Sequence, residues 1–194
     1  IDEARLARAL ELEDETIRWV EARPTLVAAF LALYVGRVDR ARPMLESLRR
    51  ELADRGQEAE SPLLTLHLAW LELAVGELPR ARELSDEALG FAALGGMWSA
   101  HAIAFGAIVD AFAGDTDRCR ERLAAAAAAV GDQDNCLVFE WSAIAVALLD
   151  GAFGDMEAVD AGTETVGAFY EQFELVDPVH LSWLPEKIEA LVTL

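Results

Sequence analysis

A seven-residue phrase recurs four times along the 194-residue chain: GRVDRAR from Gly36, GELPRAR from Gly76, GDTDRCR from Gly114 and a divergent GDMEAVD from Gly154. The leading glycines lie 40, 38 and 40 residues apart. Self-similarity at such a period marks a stacked repeat, because one supersecondary unit cannot bury its apolar face alone and packs on its neighbours. Registered on the glycines, an alanine stands seven positions before each one: Ala29, Ala69, Ala107 and Ala147. Five positions after stand Ala41, Ala81, Cys119 and Val159, and two after stand Val38, Leu78, Thr116 and Met156. Small residues at fixed places on both sides of a glycine predict two antiparallel helices packed closely across a tight turn, with the residue two after the glycine plugging the hairpin.

The rest of the chain fits this frame. Ile1 to Arg5, including Ala4, aligns with Val38 to Arg42, so the chain is expected to open on the second helix of a hairpin and to be cut from a longer protein. Pro24 must break, kink or restart a helical stretch that starts near Thr16, since proline has no N–H to donate. Asp39, Ser61 (before Pro62) and Asn135 read as N-caps. Ala41, Leu45, Leu48 and Leu52 have the spacing of one buried helical face. Asp177-Pro178 opens a last helix. The expectation is an all-α chain of about ten helices in a single domain: a partial repeat over 1–13, hairpins over about 16–55, 61–94, 97–130 and 135–174, and a lone final helix over 178–194.

The glycine-and-alanine frame resembles the tetratricopeptide repeat, whose turn has the form G-x-[apolar]-x-x-A. The period here is longer than that repeat's ~34 residues, and the family's aromatic positions and closing proline are absent, so the chain is TPR-like. The resemblance implies a right-handed α-α superhelix with the first helix of each pair on its concave side. Positions two, three, six and ten before each glycine then face inward, and they are apolar or aromatic: Tyr34, Leu33, Phe30 and Leu26 in the first copy, and Ala74, Leu73, Trp70 and Leu66 in the second. Phe112, Ala111, Ile108 and Ala104 follow in the third, and Ala152, Gly151, Leu148 and Ile144 in the fourth. Thirteen before stand Arg23, Leu63, His101 and Trp141. Two arrangements fit these residues. They line an apolar groove, or they fill the inside of a tightly curved superhelix as core. A groove would bind its effector or partner through Phe30, Tyr34, Trp70, His101, Phe112 and Trp141, since sugars and small metabolites stack on such rings.

Composition excludes several classes. With 16 basic against 35 acidic residues, net charge −19, the chain lacks the clustered cations that nucleic acid binding needs. After Arg122 the single basic residue, Lys187, faces 13 acids. Two cysteines make no disulfide framework and fit a reducing cytoplasm. Apolar runs such as Thr25 to Val35 fall short of the ~20 residues of a membrane span.

Catalytic patterns are missing as well. Acids recur four before the glycine (Glu72, Asp110, Asp150) and arginines four after it (Arg40, Arg80, Arg118), which suggests the ion pairs Glu72–Arg80 and Asp110–Arg118. Exposed pairs of this kind contribute ~0–1 kcal/mol. Spread one per repeat, these carboxylates do not converge as a hydrolase would require. His67, His101 and His180 follow no metal-ligand spacing. Cys119 occupies a small packing position and reads as a buried thiol. Cys136 lies near a helix start, which would lower its pKa if it were exposed. Neither a serine nucleophile elbow nor a P-loop occurs. No catalytic residue, metal or cofactor is therefore expected in this segment.

The longer period, the Ala/Arg/acid composition and the run Asp177-Pro178 … Leu184-Pro185-Glu186-Lys187-Ile188-Glu189-Ala190-Leu191-Val192 resemble the helical-repeat region of large ATP-binding transcriptional regulators of the LuxR type. That resemblance implies an upstream ATPase, where ATP would bind, and a downstream helix-turn-helix. The array between them would sense an inducer or partner protein and hold the ATPase on or off. A generic protein-interaction scaffold from another multidomain protein is the alternative, and an enzyme is a third, which the dispersed polar residues argue against. Open helices at both ends, together with the apolar groove, predict self-association.

Overall fold

The computed structural model describes residues 2–14, 19–57, 61–95, 98–130, 135–174 and 182–194. Among these the chain is all-helical, with ten α-helices and one short 3-10 helix. It packs as two compact units, residues 1–98 and 99–194.

The first unit holds α1 (Glu3–Glu11), a 3-10 turn (Val20–Ala22), α2 (Pro24–Tyr34), α3 (Val38–Asp54), α4 (Pro62–Ala74) and α5 (Leu78–Gly95). Hairpin α2–α3 turns at Gly36 and hairpin α4–α5 at Gly76, and α4 packs on α3. The second unit holds α6 (Ser99–Phe112), α7 (Thr116–Val130), α8 (Cys136–Phe153), α9 (Met156–Gln172) and α10 (Leu184–Thr193). Here α6 packs along both α7 and α8, and α9 lies between α8 and α10.

All four repeat glycines are left-handed, with φ of 74° at Gly36, 85° at Gly76, 70° at Gly114 and 73° at Gly154. A side chain there would crowd the following carbonyl, so glycine is the residue that ends the helix cheaply. Two backbone bonds complete each turn. At the first, the Gly36 N–H donates to Leu33 O (2.9 Å) and the Arg37 N–H to Ala32 O (2.8 Å). The other three repeat this pair of bonds, satisfying carbonyls that the helix end would otherwise orphan. The next helix begins two residues after the glycine.

The small residues lie where the two backbones meet. Ala29, Ala69, Ala107 and Ala147 are buried, and so are Ala41, Ala81, Cys119 and Val159. The plug residues Val38, Leu78, Thr116 and Met156 are half-buried. Each second helix buries one stripe, as Ala41, Leu45, Leu48 and Leu52 do on α3. Ser61 accepts from the Leu64 N–H (3.3 Å) and Asn135 from the Val138 N–H (3.2 Å), so both cap as their sequences indicate.

Three expected boundaries are corrected. Arg37, not Asp39, is the N-cap of α3, because the turn bonds already place Val38 inside the helix; Asp39 sits in the first turn, where its charge favours the helix dipole. Ahead of Pro24, residues 16–18 of the expected helix from Thr16 lie outside the described residues, and Val20–Ala22 is a 3-10 turn that leaves Arg23 as the N-cap of α2. The last helix begins at Leu184 rather than 178; residues 175–181 lie outside the described ones, Ser182 and Trp183 form a turn, and Pro185 occupies the first helical turn. A helix begun at 178 would have placed that proline in its interior, at the loss of a hydrogen bond.

At 18 residues, α8 is the one described helix long and apolar enough to cross a membrane. Its two carboxylates are both buried and partnered within this unit: Glu140 accepts from the Tyr170 hydroxyl at 3.2 Å and Asp150 pairs with Arg120 at 2.5 Å.

Candidate functional site

In the first unit, Phe30 and Tyr34 lie one turn apart on α2, and His67 and Trp70 lie one turn apart on α4, so each pair shares a helix face. The four rings meet. Phe30 stacks on the His67 imidazole with centroids 3.4 Å apart and planes at 15°. Tyr34 presents its edge to His67 at 6.0 Å and to Trp70 at 6.3 Å. His67 is buried, while Phe30, Tyr34 and Trp70 are half-buried. The result is an aromatic wall with a histidine behind it.

The hydrogen bonds fix the state of that histidine. Nδ1 lies 2.9 Å from the Leu63 carbonyl, which can only accept, so Nδ1 carries the proton. Nε2 then accepts from the Tyr34 hydroxyl at 3.3 Å. Burial pushes the His67 pKa down to about 4, against the Leu63 hydrogen bond. The imidazole is therefore neutral, and it holds the Tyr34 ring in place. Nothing in the spacing of the histidines announced this role. The available signal was the register: nine before the glycine stand Val27, His67, Phe105 and Ala145, and Phe105 also joins an aromatic cluster.

The second unit brings together His101 and Phe105 of α6 with Trp141 of α8. Trp141 meets His101 edge-on at 6.3 Å and Phe105 at 5.3 Å. Trp141 is only 1% exposed, so its ring is core and not a groove wall. Ala104 and Ile144 are buried as well. Burial lowers the pKa of half-buried His101, against a hydrogen bond with the Asn135 side chain. Phe112 is 53% exposed and lies eleven residues beyond His101 on the same helix, about 16 Å along its axis. The six ring residues read from the sequence thus divide three and three between the units. Only Phe30, Tyr34 and Trp70 form one half-open surface.

Arg23, expected on the inner face, is buried in an ion cluster. Its guanidinium meets Glu13 at 2.7 Å and Glu51 at 2.7 Å. The free oxygen of Glu13 accepts from the Thr25 N–H (2.7 Å) and hydroxyl (2.5 Å), closing the N-terminus of α2. Burial opposes the charge on Glu13, yet the hydrogen bonds from Thr25 and Arg23 hold its carboxyl below the ordinary range. Arg23 is therefore committed to structure.

The expected pair Glu72–Arg80 does not form. Glu72 receives two hydrogen bonds from Arg42, at 2.7 and 3.0 Å, and Arg80 meets Glu83 at 2.7 Å. Arg42, six after its glycine, thus reaches the acid of the next hairpin. Arg120 and Asp150 repeat the relationship. Asp110–Arg118 does form, at 3.5 Å, with Arg122 also on Asp110 at 3.3 Å.

Neither thiol is activated. Burial and then the Asp110 charge push Cys119 up to about 11. Cys136 is the first residue of α8, but it is half-buried, and burial and then the Glu140 charge raise its pKa as well, so the lowering expected of an exposed thiol at a helix start does not apply. Among the described residues, no three His, Cys, Asp or Glu side chains gather as a metal site would require. No family model, curated protein or solved structure gives a significant match to the chain.

Proposed function

We propose that the chain is the sensor and interaction array of a LuxR-type transcriptional regulator, non-catalytic itself, with its hairpins following one another in a TPR-like superhelix. The Phe30–Tyr34–Trp70 wall is the observation that carries the reading: three half-buried rings on neighbouring first helices, backed by an uncharged imidazole, offer stacking surface to an effector. Binding there would be coupled to ATPase and DNA-binding domains encoded outside this segment, and the array would work in the cytoplasm.

Two measurements test it. Tryptophan fluorescence is followed while sugars and aromatic metabolites are titrated into the protein. For a genuine effector, Trp70→Phe and Tyr34→Ala weaken affinity at least tenfold, whereas Trp141→Phe leaves it unchanged. Retained affinity in both wall variants would remove the site. The coding sequence on either side supplies the second measurement: a P-loop upstream and a helix-turn-helix downstream fit a regulator, and neither is expected of a generic scaffold.

A further inference from the structure

A small cleft lies between α1, α2 and α3 of the first unit. Leu6, Leu10, Leu31, Val35 and Met44 make it apolar, and three charged side chains, Glu3, Arg37 and Arg40, line it as well. The cleft follows from how the first copy departs from the other three. Four before the turn glycine, Glu72, Asp110 and Asp150 are buried carboxylates. Each is held by an arginine: Glu72 by Arg42 at 2.7 Å, Asp110 by Arg118 at 3.5 Å and Asp150 by Arg120 at 2.5 Å. The first copy has Ala32 at this place, and Ala32 lines the cleft. An alanine there leaves space and no negative charge. Arg40, in the register of Arg118, reaches Glu3 only at 3.9 Å, with both side chains more than half exposed. No carboxylate meets Arg37 among the described residues. Residues 1–50 carry nine arginines and nine acids, so the acidity of the chain lies elsewhere.

We propose that this cleft binds a short-chain aliphatic carboxylate, its head on Arg37 and Arg40 and its alkyl tail against Leu6, Leu10, Leu31 and Met44. Arginine suits such a head, because the guanidinium N–H groups fork onto both carboxylate oxygens. Size sets the length of the tail. The cleft offers about 50 Å³ to the centres of water molecules, room for about four of them. Four waters fill about 120 Å³ as liquid, the room that an acid of three or four carbons takes. Sulfate or inorganic phosphate would use the arginines and leave the apolar walls idle. A neutral amide would use the walls and leave the arginines unanswered. The site stands on other residues than the aromatic wall and does not depend on it.

The test is an NMR titration of the 194-residue protein, labelled with carbon-13 at its methionine methyls, with butyrate. The Met44 methyl should shift saturably, and that of Met156, in the second unit, should stay. Butyramide and butylamine should bind at least tenfold more weakly than butyrate, and acetate, which lacks the tail, several-fold more weakly. Arg37→Gln with Arg40→Gln should cost butyrate at least tenfold. Ala32→Glu, which puts back the carboxylate of the other copies, should cost as much, with helicity by circular dichroism showing an intact fold. Arg50→Gln, further along α3, and Trp70→Phe, on the aromatic wall, should change nothing. Absence of a saturable Met44 shift, or butyrate binding that survives either cleft variant, would overturn the proposal. Equal affinity for butyramide would mark an apolar pocket indifferent to charge, and displacement by sulfate as effective as by acetate would mark a general anion site. Affinity that climbs steadily to octanoate would mark a long-chain groove. Any of these three results would also overturn it.

Discussion

Arg42 grips Glu72 through two parallel hydrogen bonds, 2.7 Å from Nη1 to Oε1 and 3.0 Å from Nη2 to Oε2. The two residues are 30 apart in sequence and belong to successive hairpins, so the contact ties α3 to α4. Glu72 is buried and Arg42 is one-third exposed. Removing the arginine leaves a buried carboxylate without its main partner, which costs more than the pair itself contributes. Arg42→Ala should destabilise the first unit by about 1–3 kcal/mol, while Arg80→Ala should fall within about 0.5 kcal/mol of wild type. Urea unfolding of the two variants checks this, and similar losses from both would mean that the Arg42 contact is not what joins the hairpins.

Glycine-to-alanine changes should have opposite signs at two positions. Gly114 is left-handed at φ 70°, where alanine costs about 1–2 kcal/mol. Gly90 lies within α5 with open space around its Cα, and alanine there should gain about 0.5–1 kcal/mol from helix propensity. Thermal melts of Gly114→Ala and Gly90→Ala should shift down and up respectively.

The turn at Gly114 was legible in the sequence because everything that makes it is local: a glycine, an alanine one side, a small residue on the other. The partner of Glu72 was not. Arg80 lies eight residues away across a turn and Arg42 lies thirty away in the previous copy, and only packing decides which guanidinium arrives. The aromatic site divides in the same way. Phe30, Tyr34 and Trp70 followed from helical register, but the depth of Trp141 depends on how closely α6 approaches α8. His67 stands alone in the sequence because the rings it meets, Phe30 and Tyr34, sit on another helix.

A second glycine is fixed by packing alone. A Cβ on Gly162 of α9 would come within 2.4 Å of Val146 Cγ1 and 3.2 Å of its Cβ on α8. A valine is stiff at χ1 and cannot turn away. Gly162→Ala should therefore destabilise by about 1–3 kcal/mol through overpacking, in spite of better helix propensity. Adding Val146→Ala should recover much of the loss, and a double-mutant cycle by chemical denaturation measures the recovery.

Acid should loosen the first unit through His67. Its folded pKa of about 4 lies below the ordinary 6.5, so the unfolded chain takes up the proton first. Stability is then fully present above pH 6.5, declines as pH falls, and is completely lost from this source below about 4, a change of about 3 kcal/mol. His101, also lowered by burial, acts in the same direction. Glu13 adds a separate loss below its ordinary 4.5. Melting temperatures between pH 7 and 4.5 should fall less steeply in His67→Gln than in wild type, and parallel curves would refute the assignment.

The guanidinium clasps running from one hairpin to the next give the modules an order. Arg42 and Arg120 each demand an acid in the copy that follows, whereas the fourth copy offers Asp160 and is answered by Lys187. Polarity of charge is reversed at that last junction. A chimera moving residues 135–174 ahead of Glu72 would set carboxylate against carboxylate, so these modules cannot be shuffled freely like beads on a string.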